Sequence, residues 1–539
     1  MLKLNSKIIF LLLFCGICIS IIIYQDYGIS IDEKHNRFYG IVNFKFFLDF
    51  FNLKYPADLN LESVQNLNNY PDKFYGAFYE MINFVFIEVI LKKNDIQEIY
   101  YIRHLINHLL FLTSLFFYYK TLNIIFNKNV YAILGVIALY STPRIFADSF
   151  YNGKDLAFLS IFLISCYFAI KCIQKFKYKN LIILSFFSAF SMNLRLIGLY
   201  LPLVLTLFLL LENKINKKKI FYTLLLPFLF FFIITPFLWT DTLNNFFLMI
   251  KNSMSFKRME NFYVYFLGSY HKTKYLPEIY LPISFLVTSP ILPSLLGIGG
   301  LIIILKKFLK RLFYIDETYS NKDIWKSKYE KLILFNFLVF VTPLFFFYVL
   351  NSIIYNGWRH FFFLYPMFLT ISIYFLRSLI QKFKKNNIFI ILIFLLFLIE
   401  NIIGLIKFHP FQFIYFNPLI ANKANRLFEI DYWGVANSYT LNKTFKLENS
   451  VNGNKIKIAN ASFTDLILTY SILKPDLQKK LTFVGQDYSN SDFIFTNSIY
   501  EINPKYDTKY KIPSNYTKFF ELTKGGIIIN QIYKKNNSK

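Results

Sequence analysis

Apolar runs of roughly 20 residues, separated by short polar stretches, recur from residue 8 to residue 406, and runs of that length match the hydrocarbon thickness of a bilayer. The pattern predicts spanning helices over 8–23, 104–126 and 130–146, then a fourth ending at Lys171, a fifth at Arg195 and a sixth at Lys214. A seventh emerges at Trp239, an eighth covers 282–305, a ninth precedes Tyr355, a tenth ends at Arg377 and an eleventh covers 387–406. The apolar piece 76–91 differs, because Glu80 and Glu88 interrupt it; it reads as a helix lying in the membrane interface. After residue 406 the period changes. Short alternating runs (KIKIAN, LTFVG, DFIFTN, GGIIINQIY) surround one helical pattern, SFTDLILTYSILK, so 407–539 reads as a small α/β domain.

Polar punctuation then orients the spans. With the N-terminus cytoplasmic behind Lys3 and Lys7, the clusters Lys171–Lys179, Lys214–Lys219, Lys306–Lys331 and Arg377–Lys385 all fall on the cytoplasmic face. Counting 76–91 as a span would reverse every one of them. No small-residue cleavage site follows the first apolar run, which reads as an uncleaved anchor. The expected architecture is a polytopic α-helical protein of the cytoplasmic (inner) membrane with about 11 transmembrane helices. Residues 1–406 form its membrane domain, with a first external loop over 24–102 and an external cover over 239–281, and 407–539 form an extracytoplasmic tail.

Composition sharpens this. At 55% hydrophobic and 21% aromatic residues the chain is too apolar for an ordinary soluble protein. Its formal charge of +27 would suit nucleic acid, but the excess lysine sits between spans, where the positive-inside rule accounts for it. None of the four cysteines (Cys15, Cys18, Cys166, Cys172) lies in the long external segments, so neither a disulfide framework nor a zinc site is indicated.

The residues left on the outer face carry the chemistry. Asp32-Glu33 follows the first span, and a partly desolvated carboxylate there suits a general base toward a hydroxyl. The next external loop, STPRIFADSFYNGKDLAF, supplies Arg144, Asp148, Asn152, Lys154 and Asp155 within 12 positions. Arg103, Arg195 and Arg359 with His360 stand at outer span ends, where a guanidinium fork suits phosphate oxygens. Plain roles stay open for each: a solvated pair for Asp32-Glu33, a helix cap for Asp148, and snorkelling to headgroups for the arginines.

Two acidic external loops, the second with Asp155 opening the next span, resemble the polyprenyl-phosphate-sugar-dependent glycosyltransferases of the GT-C type. That superfamily includes the protein O-mannosyltransferases of glycosyltransferase family 39 and the lipid A aminoarabinose transferases. GWRH followed by LYP at 357–366, HPFQFIYFNPL at 409–419 and DYWG at 431–434 are similar to segments of its bacterial members, so the resemblance covers most of residues 1–435. The last two motifs are expected to dock the tail on the membrane domain. The chain departs from oligosaccharyltransferases in lacking a WWD run, and from nucleotide-sugar transferases in lacking a Gly-rich phosphate loop.

The resemblance implies transfer of a sugar from a polyprenyl-phosphate-linked donor to an extracytoplasmic acceptor hydroxyl on a lipid, glycan or protein, with inversion. Asp32 would be the base, Glu33 or Asp155 would orient the acceptor, and Arg359, with Arg195 or Arg103 and His360, would neutralise the departing phosphate. Members of the superfamily differ in metal use, which stays open here: Asp32, Asp148 and Asp155 could hold a divalent Mg or Mn ion only if they converge. The competing classes are a polymerase or ligase for lipid-linked glycans, and a transporter or flippase, whose spans would carry ionisable groups near the midplane.

Overall fold

A computed structural model describes residues 6–211, 216–254, 259–313, 327–382, 387–445 and 455–536, so part of the expected cytoplasmic loop 306–331 lies outside the described residues. The first predicted span is helix α1 (Ile8–Ile23). The stretch after it, expected to be loop, instead forms a 20-residue helix, α2 (Ile31–Phe50). Its start is written in Ser30-x-x-Glu33: the Glu33 carboxylate folds back to accept from the Ser30 N–H at 2.7 Å, satisfying an orphan donor of the first turn. Gly40 lets α2 lie against the next helix, α3 (Phe78–Phe84), since a Cβ there would sit 2.4 Å from the Glu80 carbonyl oxygen. Helix α3 continues as a π-helical turn over Val85–Ile90. Its two glutamates face protein: Glu88 binds Arg37 at 2.7 Å, and Glu80 binds Arg103.

Helix α4 (Ile96–Phe126) is followed by α5 (Asn129–Ser141) and α6 (Pro143–Tyr151), which meet at 64°. The predicted span 130–146 is thus broken. Pro143 has no N–H to donate and pushes Thr142 into an extended conformation (ψ 114°), so α5 stops and α6 starts in a new direction. Then come α7 (Asp155–Gln174), α8 (Tyr178–Leu194), α9 (Tyr200–Leu211), α10 (Lys217–Ile233) and α11 (Thr242–Met254). A hairpin, β1 (Tyr263–Phe266) and β2 (Ser269–Lys272), lies within the expected cover. Ser289-Pro290 divides the predicted span 282–305 into α12 (Tyr280–Thr288) and α13 (Ile291–Phe313). Helices α14 (Lys328–Val349), α15 (Tyr365–Lys382), which a 3₁₀ turn over Arg359–Leu364 precedes, and α16 (Asn387–Phe408) complete the membrane domain.

Each predicted span is therefore helical. Among the described residues, five helices are long and apolar enough to cross a bilayer, with the bent α5–α6 pair a sixth and α1 and Leu196–Leu211 shorter apolar helices. The protein is a polytopic α-helical membrane protein. Helix α7 is the most enclosed of its spans, and its first residue is Asp155.

The tail adds α17 (Ala424–Leu427), α18 (Asn437–Phe445), β3 (Ile456–Asn460), α19 (Leu466–Tyr470), α20 (Pro475–Lys480), β4 (Leu481–Phe483), β5 (Phe493–Thr496), β6 (Tyr516–Lys524) and β7 (Ile527–Lys535). These strands form one mixed sheet in the order β4-β3-β5-β7-β6; β3 runs parallel to β4 and β5, and β7 antiparallel to β5 and β6. The tail shares its core with the helices, for Leu522, Ile527 and Ile529 belong to the same buried apolar cluster as α4 and α7. The cover hairpin is clamped to it by Tyr263 N–H to the Glu501 carbonyl at 3.1 Å and Gly268 N–H to the Leu427 carbonyl at 3.3 Å.

The tail also closes over the entry to α2: the Ile31 N–H donates to the Trp433 carbonyl at 3.0 Å, and a Cβ on Gly28 would meet the Val435 carbonyl oxygen at 2.2 Å. Gly28→Ala is expected to force these backbones apart, costing about 1–3 kcal/mol as overpacking usually does. Purified protein should melt at lower temperature and release the tail faster under limited proteolysis, with its helical circular dichroism kept. An unchanged melt would show that the contact does not hold the tail.

Candidate active site

The break at Pro143 carries Asp148 and Asn152 to the mouth of α7. Asn152 ties the turn together: its Oδ1 accepts from the Asp155 N–H at 2.9 Å, and its amide donates to Asp155 Oδ2 at 3.1 Å and to Asp148 Oδ2 at 3.3 Å. Asp155 is only 2% exposed, and a carboxylate so enclosed needs cations beside it. Two supply them. Arg195, next after α8, binds Asp155 Oδ1, and Arg359, opening the turn before α15, lies 3.6 Å from Oδ2.

The same Arg359 Nη1 binds Asp32 Oδ2 at 2.9 Å. One guanidinium therefore joins the first turn of α2 to the first turn of α7, and the two acidic loops converge. Their carboxylates are not equivalent, since the Asp32 side chain keeps 39% of its exposure. Aromatic rings hold the bridge from both loops that flank it: the Arg359 guanidinium lies 4.9 Å from the Tyr355 ring and 4.6 Å from Trp433. The Nε atoms of Arg195 and Arg359 are buried without an acceptor, surplus donors next to the two carboxylates.

Lys154 joins this group. Its ammonium sits 3.8 Å over the Tyr75 ring; burial, then the neighbouring Arg195, depress it to about 8 against the pull of Asp32 and Asp155. His360 packs edge-on against Tyr355, with ring centroids 4.9 Å apart.

Other expected residues are committed elsewhere. Glu33 is buried, accepting from Ser30 N–H and bound to His104 Nε2 at 3.0 Å, which makes it a brace for α2 and not a partner of Asp155. Arg103, expected to hold phosphate, is buried against Glu80. Arg144 donates from Nε to the Tyr415 carbonyl at 2.9 Å and lies 4.8 Å over the Phe416 ring. Asp148 accepts from the Tyr151 hydroxyl at 2.5 Å. Among the described residues no three His, Cys, Asp or Glu side chains are grouped to hold a metal ion. Asp32 and Asp155 are bridged by an arginine and Asp148 is capped by Tyr151 and Asn152, so this trio does not fit a divalent cation.

Tyr355, Tyr75, His104 and Trp433 belong to this neighbourhood and were not foreseen as part of it. Trp433 stood within DYWG, expected only to dock the tail. Its indole does so by stacking on Arg359.

Two of the solved structures similar to the chain are of one protein. The crystal structure of ArnT from Cupriavidus metallidurans bound to undecaprenyl phosphate has 11% sequence identity and a TM-score of 0.47, covering 99% of each chain. The same protein in the apo state has 11% identity and a TM-score of 0.43, covering 96% of this chain and 97% of that one. No curated protein is significantly similar in sequence. Residues 97–239 match the model of a family described as dolichyl-phosphate-mannose-protein mannosyltransferase. That segment holds α4 to α10, with Lys154, Asp155 and Arg195, so the similarity to this family falls on the part of the chain that carries the second acidic loop.

Proposed function

We propose that this protein transfers a sugar from a polyprenyl-phosphate-linked donor to an acceptor hydroxyl on the outer face of the cytoplasmic membrane, with inversion and with Asp32 as general base. The observation that carries this reading is the Arg359 bridge between an open carboxylate, Asp32, and a closed one, Asp155. Asp32 can receive an acceptor hydroxyl; Asp155, pinned by Arg195 and Arg359, holds the two cations in place. The acceptor oxygen attacks the anomeric carbon as its proton passes to Asp32. The bond from that carbon to the phosphate oxygen breaks, and polyprenyl phosphate departs with the electron pair. Arg359, Arg195 and Lys154 meet the charge that develops on it. No acid is needed for so good a leaving group.

Asp32→Asn keeps the shape of the side chain and removes the base, so turnover at saturating donor should fall about 10²-fold or more with donor binding retained. Arg359→Ala should weaken donor binding and turnover together, because the cation meets phosphate in the ground state and again in the transition state. Both are measured in proteoliposomes on protein of normal melting temperature. Near-normal turnover by Asp32→Asn would remove it as base; activity lost in Asp155→Asn alone would move the role to the second loop.

The depressed ammonium of Lys154 gives a pH signature. Its charge is present below about 8 and lost above, so kcat/KM for the donor should be level at neutral pH and fall as pH rises through that value. Lys154→Arg, which stays charged, should move the fall to higher pH. A profile unaltered by that substitution would exclude Lys154 from phosphate binding.

Orientation is tested by single cysteines at exposed positions. Impermeant reagent added outside should label position 352 before α15 and position 505 in the tail, and leave position 218 at the start of α10 unlabelled. The opposite pattern would put the site in the cytoplasm and overturn the choice of donor.

A further inference from the structure

Asp32 and Glu33 are neighbours on α2, and neighbouring side chains of a helix point about 100° apart. Whatever fixes the direction of one therefore fixes the direction of the other. Glu33 points into the protein at 1% exposure, while Asp32 stands on the open side and meets Arg359. Apolar packing does little to set this rotation at the end of α2 that carries the base. In its first two turns the buried residues are Glu33 and Asn36, Ile31 and Phe38 are only partly buried, and a buried apolar side chain appears first at Val42. Orientation of the first turn rests on polar contacts.

Glu33 makes two of them. Its Oε2 accepts from the Ser30 N–H, a contact inside the turn that moves with it. Its Oε1 lies 3.0 Å from His104 Nε2 on α4, and this contact reaches another element. His104 is itself enclosed: its Nδ1 lies 3.3 Å from the carbonyl oxygen of Tyr24, the residue that caps α1, and the Tyr101 ring meets it edge-on. Glu80 and Glu88, the other buried glutamates before α4, each face an arginine. For Glu33 the chain supplies an imidazole, whose two nitrogens point in different directions, and both are used, one on the end of α1 and one on the start of α2. The remaining ties are weaker constraints on rotation. The Ile31 N–H to Trp433 carbonyl contact holds the position of the backbone, and Arg37, one turn on, binds Glu88 from a side chain that keeps 25% of its exposure.

We propose that His104 is a positioning residue for Asp32: it holds Glu33 inward and thereby aims the Asp32 carboxylate outward, at Arg359 and at the acceptor hydroxyl. The assignment rests on the reading of Asp32 as base. Arg359 alone does not serve this purpose through the proposed reaction, because there the guanidinium also meets the departing phosphate.

Two amides separate this role from a general contribution to stability. Gln at position 104 carries an N–H donor at about the reach of the imidazole Nε2, whereas Asn is one carbon shorter and falls short of Glu33. Full-length protein in lipid nanodiscs is compared by hydrogen–deuterium exchange. His104→Asn should speed exchange of the amides of residues 30–33 about tenfold, the effect of losing one hydrogen bond to a charged group, and His104→Gln should not. Turnover is read as release of polyprenyl phosphate from donors carrying glucose, galactose, mannose or N-acetylglucosamine, with the fastest of the four. In His104→Asn kcat should fall about tenfold or more while KM for the donor is kept, and His104→Gln should recover most of the loss. In the Asp32→Asn background His104→Asn should cost nothing further, because the group it aims is already gone. Should His104→Asn miss the normal melting temperature, Glu33→Asp, which draws the carboxylate back from His104 by one carbon, gives the same comparisons. A loss of kcat of the same size in both backgrounds, equal losses in the Asn and Gln variants, or unaltered exchange at residues 30–33 would each overturn the proposal. Near-normal turnover by Asp32→Asn, or no turnover of any of the four donors by the unaltered protein, would instead remove the reading on which it rests, and the exchange result would then stand as a brace of α2 without a catalytic purpose.

Discussion

The Arg359 guanidinium, shared between Asp32 and Asp155 and stacked between Tyr355 and Trp433, is the contact on which the rest of the site depends. Asp155 begins the most enclosed span, where an unpaired charge would cost several kcal/mol, so the fold has to bring cations to it. Arg195 and Arg359 arrive from span ends far apart in sequence, and each fixes the height at which its helix meets α7. Asp32 completes the bridge from α2, and Trp433 covers it from the tail. Four separate pieces of chain are registered by one planar cation. Lysine in that position would have neither the fork nor the flat face to do it.

That dependence explains which parts of the molecule could be read along the chain. The spans were legible because each is a local run, and among the described residues these apolar runs are helical, five of the helices long and apolar enough to cross a bilayer. Breaks inside them were written at Pro143 and Pro290, as residues without an N–H, but a hydropathy window averages over them. Helix α2 is also written, in Ser30-x-x-Glu33, but its low apolar content and its acidic first turn give it the pattern of a polar loop. The tail's alternating runs located β3, β4, β5 and β7; β6 (YTKFFELTK) carries too many charges at its edge of the sheet to stand out.

The site was legible residue by residue and not as a set of partners. Asp32, Asp155, Arg195 and Arg359 were marked by charge at the outer ends of spans, and these are the four that meet. Glu33 and Arg103 carried the same mark, yet Glu33 turns back on its own helix end and toward His104, while Arg103 answers Glu80. Charge at a span mouth has two explanations, a ligand or a partner within the protein, and sequence separation hides which applies. Glu80 and Glu88 illustrate the point: they argued for water at the membrane surface, and each is instead buried and paired with an arginine, Arg103 and Arg37.

The bridge has one more consequence for the proposed reaction. In the resting arrangement Arg359 occupies Asp32 Oδ2, so the base is partly spent on its neighbour. A polyprenyl phosphate reaching the same guanidinium would compete for it with a group carrying more negative charge, and the buried, unpartnered Nε atoms of Arg195 and Arg359 are surplus donors that favour such a competitor. In the proposed reaction Arg359 would turn to the phosphate and release Asp32 to take an acceptor proton, while Asp155 would keep the cation from leaving altogether. Two carboxylates on one arginine thus do what a single ion pair would not. On the proposed reading one would hold the cation throughout and the other would be freed when the donor arrives, which would tie the activation of the acceptor to the presence of the group it attacks.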